Sequence, residues 1–342
     1  MLETLKTLCA LSGVSGAEAE VRDYILQRTL PLADAVDTDV MGNVIVHKKG
    51  AVQPAQKLLL CAHMDEVGFI ITGVTEEGYL RFASVGGIDR RVLPGKRVYI
   101  GRERIPGVIG CKPYHLVDKR EESACPKEDE LLIDIGCQNR EDAEKRVELG
   151  TCCTFSDSVF VFGDGYLKAK AIDDRVGCAV MLRLLERDLP CDVTFAFTAQ
   201  EEVGTRGAAV MAYAVAPDVC LVLEGTTATD SPDVGEEKRI CRAGDGVVIS
   251  FMDRGTLYDR ELFAILTSRA EENGIPWQTK RRVAGGTDGR AVQRSRAGVK
   301  TGALACPVRN IHSPASVGKI SEFDDMLRLA GLFLKRFAKG DI

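Results

Sequence analysis

Seven residues, Val193-Thr-Phe-Ala-Phe-Thr-Ala199, read as a buried strand, and the chain then carries Glu201 and Glu202 side by side. Gly204 and Gly207 follow, and after them an Ala-rich segment with helical character. Two carboxylates at the end of a buried strand cost on the order of several kcal/mol per unpaired charge. A fold tolerates that when the charges meet a metal, a basic side chain or a substrate. This stretch alone also permits a blander reading, in which both glutamates cap the next helix in water.

The same arrangement recurs. Leu60 leads into His63 and Asp65, Leu223 into Glu224, and Cys306 into His312. Ligands of open α/β sheets bind at the carboxyl ends of strands, so these positions are candidates for one shared site. Asp173 and Asp174 precede a helical stretch, where two adjacent carboxylates need a cation or N-terminal amides. The chain has only four histidines. His47, beside Lys48 and Lys49, reads as an exposed strand end, and His115 as surface or packing. His63 and His312 alone follow buried runs with carboxylates nearby.

A metal at such a site would take nitrogen and oxygen ligands. The twelve cysteines are scattered, never spaced Cys-x-x-Cys, and many sit in apolar settings, as reduced, buried thiols do. Charge arithmetic favours two ions. Asp173, Glu202 and Glu224 with a bridging hydroxide neutralise two divalent cations, and imidazole with carboxylate suits zinc, cobalt or manganese. Two metals about 3.5–4 Å apart polarise a carbonyl and acidify a shared water. Glu201 is then free to take that water's proton, because neighbours on extended backbone point in opposite directions.

Elsewhere the chain sorts into two textures. Helical and strand-like runs alternate over 1–66 and again from 163 to 342. Between 67 and 162, short strand-like runs alternate with Gly and Pro turns, as in a small β-barrel or sandwich, broken by one helical stretch from Arg140 to Leu149. The expected class is therefore α/β, a discontinuous domain carrying a β-rich insert. Ser15-Gly-Ala-Glu18 has the spacing of a capping box opening the second helix. A net charge of −5 without a basic block argues against a nucleic-acid partner. No apolar run reaches the roughly 18–20 residues of a membrane span, and the N-terminus lacks a signal peptide's apolar core; a cytoplasmic protein is expected.

Four motifs stand in register: Ala62-His63-Met-Asp65-Glu66-Val-Gly68, Lys170-Ala-Ile-Asp173-Asp174-Arg175, Thr198-Ala-Gln-Glu201-Glu202-Val-Gly204 and Ile311-His312-Ser-Pro314. In these the chain resembles the dinuclear metallo-aminopeptidases of the glutamyl and deblocking group, some of which are labelled endoglucanase. The likeness runs from Leu11 to the last helix. It implies a three-layer α/β/α, phosphorylase/hydrolase-like domain with a mixed sheet, the insert serving as dimerisation domain, and homo-oligomers built from dimers into tetrahedral dodecamers acting on peptides. It implies that Asp173 bridges two ions, that His63 and Glu224 complete one and Glu202 and His312 the other, that Glu201 is the general base, and that Asp65 orients the His63 ring. It further implies a cis peptide at Asp173–Asp174 and a substrate-side loop at Gly285–Asp288. Many members carry aspartate where this chain has Glu224; glutamate can still ligate, and Asp230 and Asp233 are fallbacks. Arg254, Arg281 and Arg282 would suit acidic substrate residues, but solvated surface is the favoured reading of each. A deacylase or carboxypeptidase with the same centre is the runner-up. A glycoside hydrolase is disfavoured by a single tryptophan, Trp277, and 6% aromatics.

Overall fold

The computed structural model describes residues 1–118, 124–156 and 158–340; the expected segments 67–162 and 163–342 therefore include positions outside the described residues. The chain opens with helices α1 (Leu2–Ala10) and α2 (Ala19–Thr29), then strands β1 (Ala35–Thr38), β2 (Val44–Lys48) and β3 (Leu58–His63). Six strands follow: β4 (Gly68–Val74), β5 (Leu80–Val85), β6 (Arg97–Ile100), β7 (Ile105–Gly110), β8 (Leu132–Asp134) and, after α3 (Arg140–Glu144), β9 (Cys152–Phe155). Next come β10 (Phe160–Phe162), β11 (Tyr166–Ala169), α4 (Ile172–Leu185), β12 (Val193–Thr198), α5 (Arg206–Val215) and β13 (Val219–Thr227). The chain ends with β14 (Val247–Ser250), α6 (Arg260–Glu272), β15 (Trp277–Gln278), α7 (Gly289–Val292), β16 (Lys300–Arg309), β17 (Ser316–Lys319) and α8 (Ile320–Phe337).

Eleven strands form one mixed sheet ordered β1-β2-β12-β3-β13-β16-β17-β11-β10, with β14 and β15 branching from β16. Its centre, β12-β3-β13-β16, is parallel. Alternation along these strands feeds two cores. Leu58, Leu60, Phe195, Phe197, Leu221 and Leu223 pack with helices α1, α2, α4, α6 and α8 on one face. Leu59, Cys61, Ala196, Cys220 and Val222 pack with α5 and α7 on the other. A sheet covered on both faces requires strands that are apolar throughout, which is why these runs lack polar residues until they end. Because the central strands are parallel, their carboxyl ends all open on one edge.

Strands β4 to β9 close into a separate barrel ordered β4-β5-β8-β7-β6-β9. Phe69 sits at its centre, meeting Phe82 and Phe155 edge-on, each with ring centroids 5.1 Å away. Closure leaves none of these six strands with a free edge. No helix among the described residues is long and apolar enough to cross a membrane.

Several local expectations change. The helix expected from Arg140 to Leu149 stops at Glu144. Strand β9, whose apolar run is short, and the polar edge strand β1 had no clear signature. The Ser15–Glu18 capping box does not form: α2 has no side-chain cap bond, because the Ser15 hydroxyl donates instead to Asp65 at 2.6 Å. Strand β16 continues past Cys306 to Arg309, so His312 lies in the loop before β17.

Candidate metal centre

The site lies where the parallel strands end. His63 closes β3, and its Nδ1 donates to the Asp65 carbonyl at 3.1 Å, leaving Nε2 to face inward. His312, held at φ 58°, does the same through Gly87, whose carbonyl accepts from Nδ1 at 2.8 Å. Fixing one ring nitrogen on a backbone carbonyl is how metal-ligating histidines are oriented. Between the two rings sits Asp173. Its Oδ1 lies 3.4 Å from His63 Nε2 and its Oδ2 lies 3.3 Å from His312 Nε2. Glu224 approaches His63 Nε2 at 3.3 Å, and Glu202 approaches His312 Nε2 at 3.2 Å. The five side chains thus form a row: Glu224, His63, Asp173, His312, Glu202. Gly225 permits it, since a Cβ there would stand 2.9 Å from that of Asp173.

Among the described residues, two groups of three have ligand atoms within 4.8 Å of one another: His63, Asp173 and Glu202, and His63, Asp174 and Glu224. The aspartates divide the work that the sequence left open. The Asp173–Asp174 peptide is cis, and Asp174 turns to amides, accepting from His63 N at 3.2 Å and Gly177 N at 2.9 Å. Asp173 turns to the cluster, and its buried Oδ1 has no hydrogen-bond partner.

The electrostatics ask for positive charge. Burial pushes Glu224 and Glu201 well above the usual carboxylate range and Glu202 up to about 7. Burial opposes charge on His312, but Asp173 and Glu202 outweigh it and push the ring up to about 9. Burial likewise opposes charge on His63, where Glu224, Asp173 and Asp65 prevail and raise it well above its ordinary value. Against burial, the two imidazoles hold Asp173 well below its usual range. Divalent cations would supply the positive charge that these buried carboxylates call for. An orphaned carboxylate oxygen, two oriented imidazoles and buried oxygen donors fit such cations.

Glu201 and Glu202 do not sit on extended backbone as expected. Strand β12 ends at Thr198, Gln200 adopts φ 57°, and a turn runs from the Glu201 carbonyl to the amides of Gly204 and Thr205, each at 2.8 Å. Both glutamate amides donate to the Asp65 carboxylate, at 2.9 and 3.1 Å. Neither glutamate caps α5, which has Thr205 at its N-cap and no side-chain cap bond. Asp65 touches the His63 ring with its carbonyl and holds its carboxylate 3.4 Å from Nδ1, while that same carboxylate ties the glutamate turn to β3.

A cleft of about 260 Å³ opens over the row, walled on its far side by Lys280, Gly285, Gly286, Thr287 and Arg290. Lys280 is buried yet donates only to the Ala284 carbonyl, at 3.4 Å; among the described residues it has no carboxylate partner. Sequence reasoning missed it, along with Ser15. Asp288, in the expected substrate-side loop, is buried against the Thr198 hydroxyl beneath the cleft, and burial pushes it up to about 6. The fallback Asp230 pairs with Arg309, and Asp233 is exposed. His115, Arg254, Arg281 and Arg282 are exposed, whereas His47 is half-buried against Thr194.

An α/β sheet that gathers two histidines and several buried carboxylates at its strand ends defines a metal-dependent hydrolase. The family model described as M42 glutamyl aminopeptidase matches residues 42–329, and the chain belongs to that family. It is a metal-dependent aminopeptidase. Lysyl aminopeptidase of Pyrococcus furiosus is 29% identical, the match covering 99% of this chain and 98% of the relative. A TET aminopeptidase from a marine-sediment Thaumarchaeota archaeon superposes with TM-score 0.93 at 32% identity, over 99% of this chain and 98% of that one. The TET1 peptidase of Pyrococcus horikoshii, which assembles into a tetrahedron or a large octahedral shell, superposes with TM-score 0.86 at 34% identity, over 97% and 98%.

Proposed function

We propose that the chain removes acidic N-terminal residues from peptides at a centre of two divalent cations. The observation that carries the two-ion reading is Asp173, with one oxygen toward each imidazole. In this reading Asp173 bridges, His63 and Glu224 hold one ion, and Glu202 and His312 hold the other. When bound, the ions supply Lewis acidity to the scissile carbonyl and to the attacking water. The donor set suits zinc or cobalt, and manganese as a third choice.

Glu201 takes the proton of the attacking water and returns it to the leaving amine. Burial, reinforced by Asp288 and Glu202, holds its carboxyl well above the ordinary range, which makes it a stronger base than a solvated carboxylate. Asp65 fixes the turn from which Glu201 reaches. The preference for acidic residues is supported by Lys280, a buried cation without a carboxylate partner among the described residues, on the cleft wall, and by the family's glutamyl description. No Trp, Tyr or Phe lines that cleft among the described residues, which leaves a sugar nothing to stack on.

Further parts of the reading concern assembly and location. The segment 67–162, with its closed barrel, is the dimerisation module inserted between 1–66 and 163–342 of a three-layer α/β/α domain. Dimers build a tetrahedral particle, a reading supported by the assembly of the Pyrococcus horikoshii relative. Twelve free thiols support a reducing, cytoplasmic setting.

Two measurements test the chemistry. Glu201→Gln is expected to lower kcat by at least roughly 10³-fold while the purified protein still carries about two metal ions per chain; full activity in that variant removes Glu201 as the base. On aminoacyl p-nitroanilides, glutamyl and aspartyl substrates should lead. Lys280→Ala should cost them about 10–100-fold in kcat/KM, as losing a buried charge-assisted contact does, with leucyl substrate little changed. An equal loss on all substrates would refute the acidic pocket.

A further inference from the structure

Asp173 is flanked, three residues before and two after, by the two most deeply buried cations among the described residues: Lys170, 1% exposed, and Arg175, fully buried. Lys170 Nζ donates to both oxygens of Glu66, at 2.6 and 2.8 Å, and to the Leu11 carbonyl at 2.7 Å. Arg175 Nη1 donates to the Leu8 carbonyl at 2.5 Å, and its Nη2 reaches Glu66 Oε1 at 3.4 Å. The amide of Gly13 donates to the same oxygen at 3.0 Å. Gly13 has to be glycine for this approach, since a Cβ there would stand 2.6 Å from Arg175 Nη2.

The Leu8 carbonyl belongs to the last turn of α1, where the helix dipole is negative and attracts cations, and Leu11 is the extended residue that follows the helix. Glu66 follows Asp65, which holds the Glu201–Glu202 turn. The triad thus joins three segments: the end of α1, the end of β3 and the segment carrying Asp173. It backs directly onto the metal row. A void of about 10 Å³, the room of one water, is lined by Glu66 and Lys170 on one side and by Asp173, Glu202 and His312 on the other. Burying three charges is costly, and apolar residues of similar volume fill such space at less cost. What apolar residues cannot do is fix the Asp173 segment at a defined distance and angle.

We propose that Lys170, Glu66 and Arg175 are positioning residues for the metal centre, clamping the Asp173 segment to α1 so that α1 docking and metal loading favour one another. The proposal rests on Asp173 being a metal ligand. Its test uses the full chain stripped of metal and titrated with Co(II), read by the visible absorption of the bound ion. The variant is Lys170→Met/Glu66→Gln, which removes one positive and one negative charge and so leaves the triad's net charge at +1.

Wild type and Lys170→Arg should each take up about two cobalt ions per chain, and the double variant should need at least about tenfold more cobalt for half-saturation. A folded double variant that matches wild type within about twofold overturns the clamp and leaves the metal centre standing. A wild-type chain that binds no cobalt sinks both. Wild-type protein supplies a second measurement that does not depend on the variant folding. Coupling is reciprocal, so cobalt should slow amide hydrogen exchange across Leu2–Ala10, and unchanged exchange there contradicts the proposal.

Discussion

The two halves of the metal row are built differently. His63 and Glu224 stand on the central parallel strands β3 and β13, and both are almost completely buried. Glu202 and His312 stand on a turn and a loop, and the His312 side chain is 32% exposed. One half inherits its geometry from a sheet covered on both faces. The other depends on polar tethers: Asp65 on the glutamate amides, and the Gly87 carbonyl on His312. Gly87 follows β5 of the barrel, so the insert reaches the loop half directly. The strand half is an anchor, and the loop half is where neighbouring segments can adjust the centre.

The largest test of this asymmetry removes one histidine at a time. His63→Ala leaves Glu224 and Asp173 facing each other in a buried space, and breaking a buried pair in this way costs about 3–5 kcal/mol. His312→Ala opens onto the cleft, where water can replace the ring, and should cost less, about 2 kcal/mol near neutral pH. Each variant should lose one ion on metal analysis. The metal-free proteins should melt apart, with His63→Ala well below His312→Ala. Equal melting temperatures would show that the two halves share one mechanical status.

A second test uses pH, and the loop half sets its window. His312 rises from 6.5 to about 9, because Asp173 and Glu202 outweigh its burial. Its contribution to stability is therefore complete below about pH 6.5 and fades as pH climbs toward 9. Glu202 rises from 4.5 to about 7 through burial, which favours the neutral form, so stability present below pH 4.5 is lost on the way to 7. Both slopes run the same way. Metal-free protein should lose on the order of a few kcal/mol between pH 4.5 and 9, measured by denaturant titration at several pH values. Asp173 and Asp65, held below their usual range, add a separate loss only below about pH 4. Protein loaded with metal should stay flat over the upper window, because cations replace the protons; a parallel decline there would contradict the reading of these residues as ligands.

How far the sequence disclosed this site follows the same division. His63, Glu202 and Glu224 were visible because each breaks off an apolar run, although β13 itself continues past Glu224 to Thr227 and so does not end there as expected. The barrel was visible for a related reason, its strands being short and bounded by Gly and Pro. His312 was expected at a strand end and lies in a loop, because what orients it is a carbonyl 225 residues away. Lys170 and Arg175 carried no local signal of a clamp, since the carbonyls they bond, those of Leu11 and Leu8, lie about 160 positions earlier in the chain and Glu66 about 105 positions earlier. Periodicity reports which face is buried. It does not report long-range hydrogen bonds.

Ser15 is the sharpest instance, and it gives the smallest of the expected effects. Its spacing from Glu18 suits a helix cap, yet the hydroxyl donates to Asp65 at 2.6 Å and Glu18 accepts from the amides of Gly16 and Gln200. Both residues therefore serve the glutamate turn rather than the start of α2. If Ser15 were only a cap, Ser15→Ala would cost about 1 kcal/mol of stability and leave kinetics alone. If it steadies Asp65, and through Asp65 the amides of Glu201 and Glu202, kcat should fall about tenfold with KM nearly unchanged, a loss typical of groups that orient ligands. Ser15→Thr keeps the hydroxyl and should recover most of kcat. Steady-state kinetics on the best substrate, beside melting curves for both variants, separates the two roles. A change in melting temperature with kcat intact would return Ser15 to helix capping and leave Asp65 to hold the glutamate turn without it.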